Sequence, residues 1–320
     1  GATIESRSMT TVDTATTTVS GAGTLVTIDN ALVAAGTTLV DTGARIDAGS
    51  LDVAGDIAPA DFTIASGADV DAGSALVDEA GSLVVRDSPS RLDIAGDLLL
   101  ESGTVTENAG AILAAGSIDA GAGTSVAVND GALLEGGSVA VQAGAGLQVS
   151  EAGSGMNLAG AIVNHGSATF TNKAGATAAL LDNRGVTDVL GGTLADFPAV
   201  QNSGTLGVDG DGTRLDAQTI ANEAGLGVGG GATLASAELD NAGGATLAVS
   251  GAGSTVSVSG TLTNAGDITA GAGTLLSANG LIQQQGSVVL DGATLANGIA
   301  ASFAGGSLRG HGTIEGNLGI

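Results

Sequence analysis

Val200-Gln-Asn202-Ser-Gly204-Thr-Leu206-Gly-Val208-Asp209-Gly-Asp211-Gly-Thr213-Arg-Leu215-Asp216-Ala-Gln-Thr-Ile220-Ala-Asn222 holds one complete repeat and the start of the next. Val200 precedes Asn202 and Gly204. Leu206 and Val208 then alternate with Thr205 and Gly207. A Gly-Asp stretch, 209–212, follows, and Leu215 and Ala217 alternate again before Ile220 opens the next unit. Alternations of period two, broken by Gly and Asp turns, predict short, half-buried strands. No window sustains helical spacing with a cap at each end.

The mark apolar-x-Asn-x-Gly recurs around Asn164, Asn183, Asn202, Asn222 (where the glycine comes one residue later), Asn241 and Asn264, with Gln284 expected in the same slot. Successive gaps are 19, 19, 20, 19, 23 and 20 residues. A fixed period near twenty marks a repeat architecture, in which each repeat buries its face only against its neighbours. The predicted fold is all-β: a single parallel β-solenoid, or β-helix, over residues 1–320. It has about 20 residues per coil, and the general crossover preference makes it right-handed. Equivalent residues then stack in files at the ordinary strand spacing of about 4.8 Å. One inward file is expected to be Ile162, Leu181, Val200, Ile220, Leu239, Leu262 and Ile282. The asparagines are expected to form a coil-to-coil ladder of side-chain amides. They also suit a left-handed corner, with the following Gly supplying positive φ. The gap of 23 is expected to be absorbed near Ser250–Ser254.

The most regular coils span 161–290. Residues 1–20, polar and Thr-rich, read as an N-terminal cap, and 291–320 as further coils whose pattern is still running at Ile320. In the N-terminal half, Leu51-Asp-Val-Ala-Gly-Asp56 is echoed by Leu92-Asp-Ile-Ala-Gly-Asp97, and Ile46-Asp-Ala-Gly49 by Val70-Asp-Ala-Gly73 and Ile118-Asp-Ala-Gly121. Pro59, Pro89 and Pro198 belong at corners, because Pro cannot donate in a sheet.

Composition narrows the function. The chain has 33 acidic and 8 basic residues, a net charge of −25, which argues against nucleic-acid binding because that needs clustered cations. No stretch reaches the roughly 18 apolar residues of a membrane helix, so no membrane insertion by this segment is expected. Cys is absent, which removes disulfides and thiolate metal sites.

Asn-x-Gly-Thr-Leu units, Gly-Ala-x-Leu strands and the closing Leu308-Arg-Gly-His-Gly-Thr-Ile-Glu-Gly-Asn-Leu318 resemble the β-helical passenger domains of bacterial autotransporters and filamentous-haemagglutinin-like surface proteins. The resemblance covers most of the chain, best from Ala161 to Leu318. It implies an extracellular or cell-surface location and a structural, non-enzymatic role.

Few residues suggest chemistry. Gly310-His311-Gly312 resembles a motif of β-helical pectin hydrolases, but the convergent aspartates and basic residue of those enzymes are missing, so a polar corner is the reading. His165 sits in an Asn-x-Gly corner and reads the same way. Asp209, Asp211 and Asp216 have the alternating oxygen pattern of a calcium turn. A flexible acidic turn is the preferred reading, calcium the alternative, and no further cofactor is implied. Phe62 and Phe197, each after Asp and near Pro, are rings folded over a coil or anchors for a partner. The favoured function is the shaft of a secreted or surface-displayed adhesin or matrix protein, its surface ligand not readable from the residues. One rival is a self-assembling fibre or surface-layer subunit joined end to end. The other is a polysaccharide lyase or hydrolase, which a cleft lined by three or more charged groups along one sheet would support.

Overall fold

The computed structural model describes residues 1–12, 14–55, 58–299 and 301–319. Asp56, the last residue of one N-terminal echo, and Ile320 lie outside the described residues. The chain is all-β and forms a parallel β-solenoid of about 15 turns with roughly 21 residues per turn. It divides into two compact units, an N-terminal one of 1–161 with 165–167 and a C-terminal one of 162–164 with 168–320.

In the C-terminal unit a coil between Ser167 and Asn241 has three strands. Thr205–Asp209 leads through a tight turn to Arg214–Asp216, and a corner then gives Thr219–Asn222. Each strand pairs in parallel with its equivalents in the neighbouring coils. Leu181, Val200, Ile220, Leu239 and Leu262 form the expected inward file, all at most 2% exposed. The file continues to Leu281, not Ile282. The coil after Asn264 is 19 residues long, so an assumed gap of 20 displaces the register by one. A one-residue slip on a strand exchanges the two faces. Leu281 is accordingly fully buried and Ile282 is 39% exposed.

The coil from Asn241 to Asn264 has four residues more than the one before it. One lies in the turn between Val249 and Val256, where the sequence placed them all. Two fall between Asn241 and Thr246 and one in the bulge between Val258 and Thr261. Distributing them among corners keeps every strand in register.

In the N-terminal unit the second and third strands are mostly fused into one bent strand, as in Leu25–Ala34, Arg45–Val53, Arg91–Leu100, Ile112–Ala120 and Leu133–Val141, though Asp69–Ala72 and Ala75–Val77 stay separate, and Thr255–Asn264 and Leu275–Gln283 of the C-terminal unit are fused in the same way. A register shift between Ile94 and Asp97 marks one bend. Coils here are longer, with Arg45 pairing Asp69 24 residues on. The first twenty residues, read as a cap, contain strands Thr3–Ser6, Met9–Thr11 and Thr16–Ser20, which pair in parallel with the following coils. The two echoes are only partly in register. Ile46 pairs with Val70, but Ile118 belongs to the third-strand file with Leu98, and Leu51 pairs with Ala75 rather than standing in the file of Leu92. Short Asp-Ala-Gly strings fit more than one bend.

The core is thin and made of Ala, Val, Leu and Ile, as parallel sheets buried on one side by their own coil require. Phe62, Phe170 and Phe197 are fully buried, and the rings of Phe170 and Phe197 lie 6.0 Å apart in a tilted contact. Phe62 and Phe197 are therefore core, not anchors for a partner. Pro59, Pro89 and Pro198 lie between strands, as expected.

Candidate functional site

The most ordered polar feature is the amide ladder at the third-strand ends of the C-terminal unit. Each residue there ends its strand and points inward, all within 1% of complete burial. Asn164 Nδ2 donates to Asn183 Oδ1 at 3.1 Å, and Asn183 to Asn202 at 2.7 Å. Asn202 donates to Asn222 at 2.8 Å, Asn222 to Asn241 at 2.7 Å, and Asn241 to Asn264 at 2.7 Å. Asn264 donates to Gln283 Oε1 at 2.9 Å. The terminal member is thus Gln283, one residue before the expected Gln284, for the same register reason. Every Nδ2 also donates to a backbone carbonyl, such as Val186 O at 2.7 Å and Thr205 O at 2.8 Å. All the side-chain bonds run in one direction, so the amide dipoles add along the file.

The reason for Asn differs from the expected one. Among the described residues no ladder amide has positive φ. At Gly204 and Gly266 the glycine two residues on is needed for close approach, since a Cβ there would stand 2.2 Å from Gly185 O and 2.3 Å from Ala245 O, whereas Asn222 has Ala224 at that place and a Cβ at Gly243 would meet nothing within 4 Å. Left-handed backbone occurs mainly in the turn after the first strand, as at Gly210 with φ 98° and Gly212 with φ 75°, and at the ladder corners in Gly244 with φ 88° and in Gly286 with φ 64°, the latter two residues after Gln284 as expected.

That turn holds the calcium candidate. Thr213 Oγ1 closes it by donating to Asp209 O at 2.8 Å. Asp209 and Asp211 are exposed. Asp216 is held by Arg214, whose Nε and Nη2 donate to its two oxygens at 2.6 and 2.5 Å. Among the described residues no three His, Asp or Glu side chains form a group that could hold a metal ion. The three carboxylates are therefore not brought together. His311 stands 3.5 Å from Asp291, its register partner in the neighbouring coil, with both side chains 78% exposed. His165 is exposed.

Sequence reasoning missed a row of charge on the outer face of the N-terminal unit. The register stacks Asp47 on Asp71, Asp71 on Asp93, Asp93 on Ala114 and Ala114 on Glu135. These residues line a shallow groove with Gly73 and Gly136. Arg45 donates to Asp47 Oδ1 at 2.7 Å and also pairs with Asp71. Arg91 donates to Asp93 Oδ2 at 2.6 Å and approaches Glu135 at 3.9 Å. Burial raises the Asp71 carboxyl above the ordinary carboxylate range, against the opposing pull of Arg45, and Asp47 and Asp93 add to the rise. The signal was legible in Arg45-Ile-Asp47, Arg91-Leu-Asp93 and Arg214-Leu-Asp216, because residues two apart on a strand share a face. The stacking of one such pair on the next was not.

No protein-family model matches this chain, and no curated protein or solved structure matches it either.

Proposed function

We propose that this chain is a non-catalytic structural shaft of a secreted or surface-displayed bacterial adhesin or matrix protein, of the kind its sequence resembles. The observation that supports it is the coil-to-coil propagation of side-chain order. Six consecutive amide bonds and several aliphatic files commit the interior to holding neighbouring coils at fixed spacing. A net charge of −25 keeps such an object soluble and resists lateral clumping. Display of the chain on a bacterial surface tests the reading. Cells should gain attachment to a surface or to one another, and should keep it when Asp71 and Asp93 are changed to Asn. No gain in either assay would refute it.

A second reading, a polysaccharide lyase or hydrolase, is favoured by the carboxylate row. Adjacent coils place carboxylates at about strand spacing, near the roughly 5 Å that a retaining glycosidase needs. Incubation of the purified chain with a panel of acidic and neutral polysaccharides decides it. Release of sugars that disappears in Asp71→Asn would replace the shaft reading by this one.

A further inference from the structure

Thr104-Val105-Thr106-Glu107 alternates so that Glu107 shares the inward face with Val105. The structure bears this out in an unusual way. Glu107 stands in the file Val19, Val40, Ile64, Val85, Glu107, Val128 and Val149, where every other member is a β-branched aliphatic. It is fully buried, the only acidic or basic side chain in the buried class among the described residues. Neither carboxyl oxygen has a hydrogen-bond partner. The Leu113 amide exerts a downward pull on its proton affinity without hydrogen-bond geometry, and burial outweighs that pull, holding the carboxyl well above its ordinary range.

Among the described residues no counter-charge faces it. Val85 and Val128 flank it in the strands on either side, and Leu83 and Val126 are the inward residues beside them. The titratable residues of the surrounding strands all occupy outward positions: Arg86, then Arg91, Asp93 and Asp97, then Asp119, then Glu135. An ionised carboxylate in this place would be a buried charge without a counter-charge, which proteins avoid by neutralising the group or by opening.

We propose that Glu107 is a proton-controlled weak point of the N-terminal unit: neutral, it packs as one more member of the aliphatic file, and ionised, it opens the coils formed by Gly81–Arg86, Gly103–Asn108 and Ser125–Val128. The proton is lost to solvent as the strand opens and regained on closing. The sign follows from linkage. The closed form keeps its proton to a higher pH than the open form, whose carboxyl titrates near its ordinary value of about 4.3. Above that pH each further unit favours opening up to tenfold, until the closed form itself titrates. This inference is independent of the shaft reading, since it concerns only the interior.

Amide hydrogen exchange on the full chain from pH 5 to 8, divided by the intrinsic exchange rate, tests it. In Gly103–Asn108 the protection of Glu107→Leu over wild type should widen by up to tenfold per pH unit. In Thr205–Asp209 of the C-terminal unit the ratio should stay flat. Glu107→Gln, which cannot ionise, should also remove the pH dependence, whatever its packing costs. A wild-type-to-Leu ratio that does not change with pH overturns the proposal. Should both variants fail to fold, the wild type still decides. An infrared band of a protonated carboxyl must persist at pH 6, and its absence there means that Glu107 is ionised in the closed coil.

Discussion

The third strand of a coil ends differently in the two units. In the N-terminal unit its last residue is Thr11 in the first coil and then Ala34, Val53, Val77, Leu100, Ala120 or Val141, stacked in one register and fully or almost fully buried. In the C-terminal unit it is an amide, Asn164 to Gln283, equally buried. The backbone plan at that point is the same, an inward residue at a strand end. The position therefore does not demand a chemical type; it demands agreement along the file. An apolar file gains by burial of hydrocarbon. An amide file is admissible because each donor and acceptor meets its neighbour, and a single apolar member in it would orphan two partners.

The units differ also in charge and coil length. The N-terminal unit has 21 acidic against 4 basic residues, the C-terminal 12 against 4. Its coils reach 24 residues, whereas those of the C-terminal unit are mostly 19 or 20. The extra-long coil between Asn241 and Asn264 leaves the ladder bond at 2.7 Å. Coil length is thus absorbed in corners, and the amide ladder constrains only the strand ends.

The largest expected effect tests the register of the C-terminal unit. Leu239→Asp should cost about 3–5 kcal/mol, the effect of an uncompensated buried charge. Ile282→Asp should stay within about 0.5 kcal/mol, as an exposed substitution does. Urea midpoints of the two variants check this, and equal effects would show that the faces are wrongly assigned.

Next come swaps between the two kinds of file. Asn222→Ala should destabilise by about 1–3 kcal/mol, because Asn202 and Asn241 each lose a buried partner. Val77→Asn, which puts a lone amide into the aliphatic file, should cost a similar amount, about 1–3 kcal/mol. A file indifferent to chemical type would show neither loss. Replacing all seven ladder residues by Val or Leu should cost less than the sum of the single changes, since it removes both partners of every bond.

A smaller effect is the coupling within the ladder. In a double-mutant cycle of Asn202→Ala and Asn222→Ala the interaction energy should be about 0.5–3 kcal/mol. The same cycle on Val53→Ala and Val77→Ala should approach additivity more closely, because no directional bond links them. Strict additivity in the asparagine pair would reduce the ladder to independent residues.

The smallest effect concerns the outer faces. Asp71 has a carboxyl raised by burial in the folded state, so its contribution is fully present below the unfolded value near 4 and is lost as pH rises through the raised value. Asp71→Asn should therefore flatten slightly the pH dependence of the N-terminal unit, measured by thermal unfolding between pH 4 and 7. Arg214→Ala in the C-terminal unit, which breaks an exposed ion pair, should change stability by less than about 1 kcal/mol at either pH.

Much of this was legible from the residues. Alternation with Gly-Asp punctuation specified short parallel strands, and the recurrence of Asn near every twentieth residue specified the ladder. Register failed in one place, after Asn264, where Leu281-Ile282-Gln283-Gln284 offers two apolar and two amide residues in adjacent slots. Either choice satisfies composition, and only the pairing with Leu262 and Asn264 selects between them. Conformation at most of the ladder corners was misjudged for a related reason. A glycine that permits positive φ and a glycine that lets a carbonyl approach look alike in sequence.

Local order came from the sequence alone, because strand alternation and turn glycines are properties of consecutive residues. So did the solenoid class, since a repeat of about twenty residues can bury its apolar face only on a neighbouring repeat. Tertiary structure decided what touches what across coils. It stacked Asp47, Asp71 and Asp93 into a row that two arginines hold together, and set Glu107 among valines. These contacts lie about twenty residues apart along the chain and one strand spacing apart in space, and a shift of a single residue in any corner between them would have replaced every one.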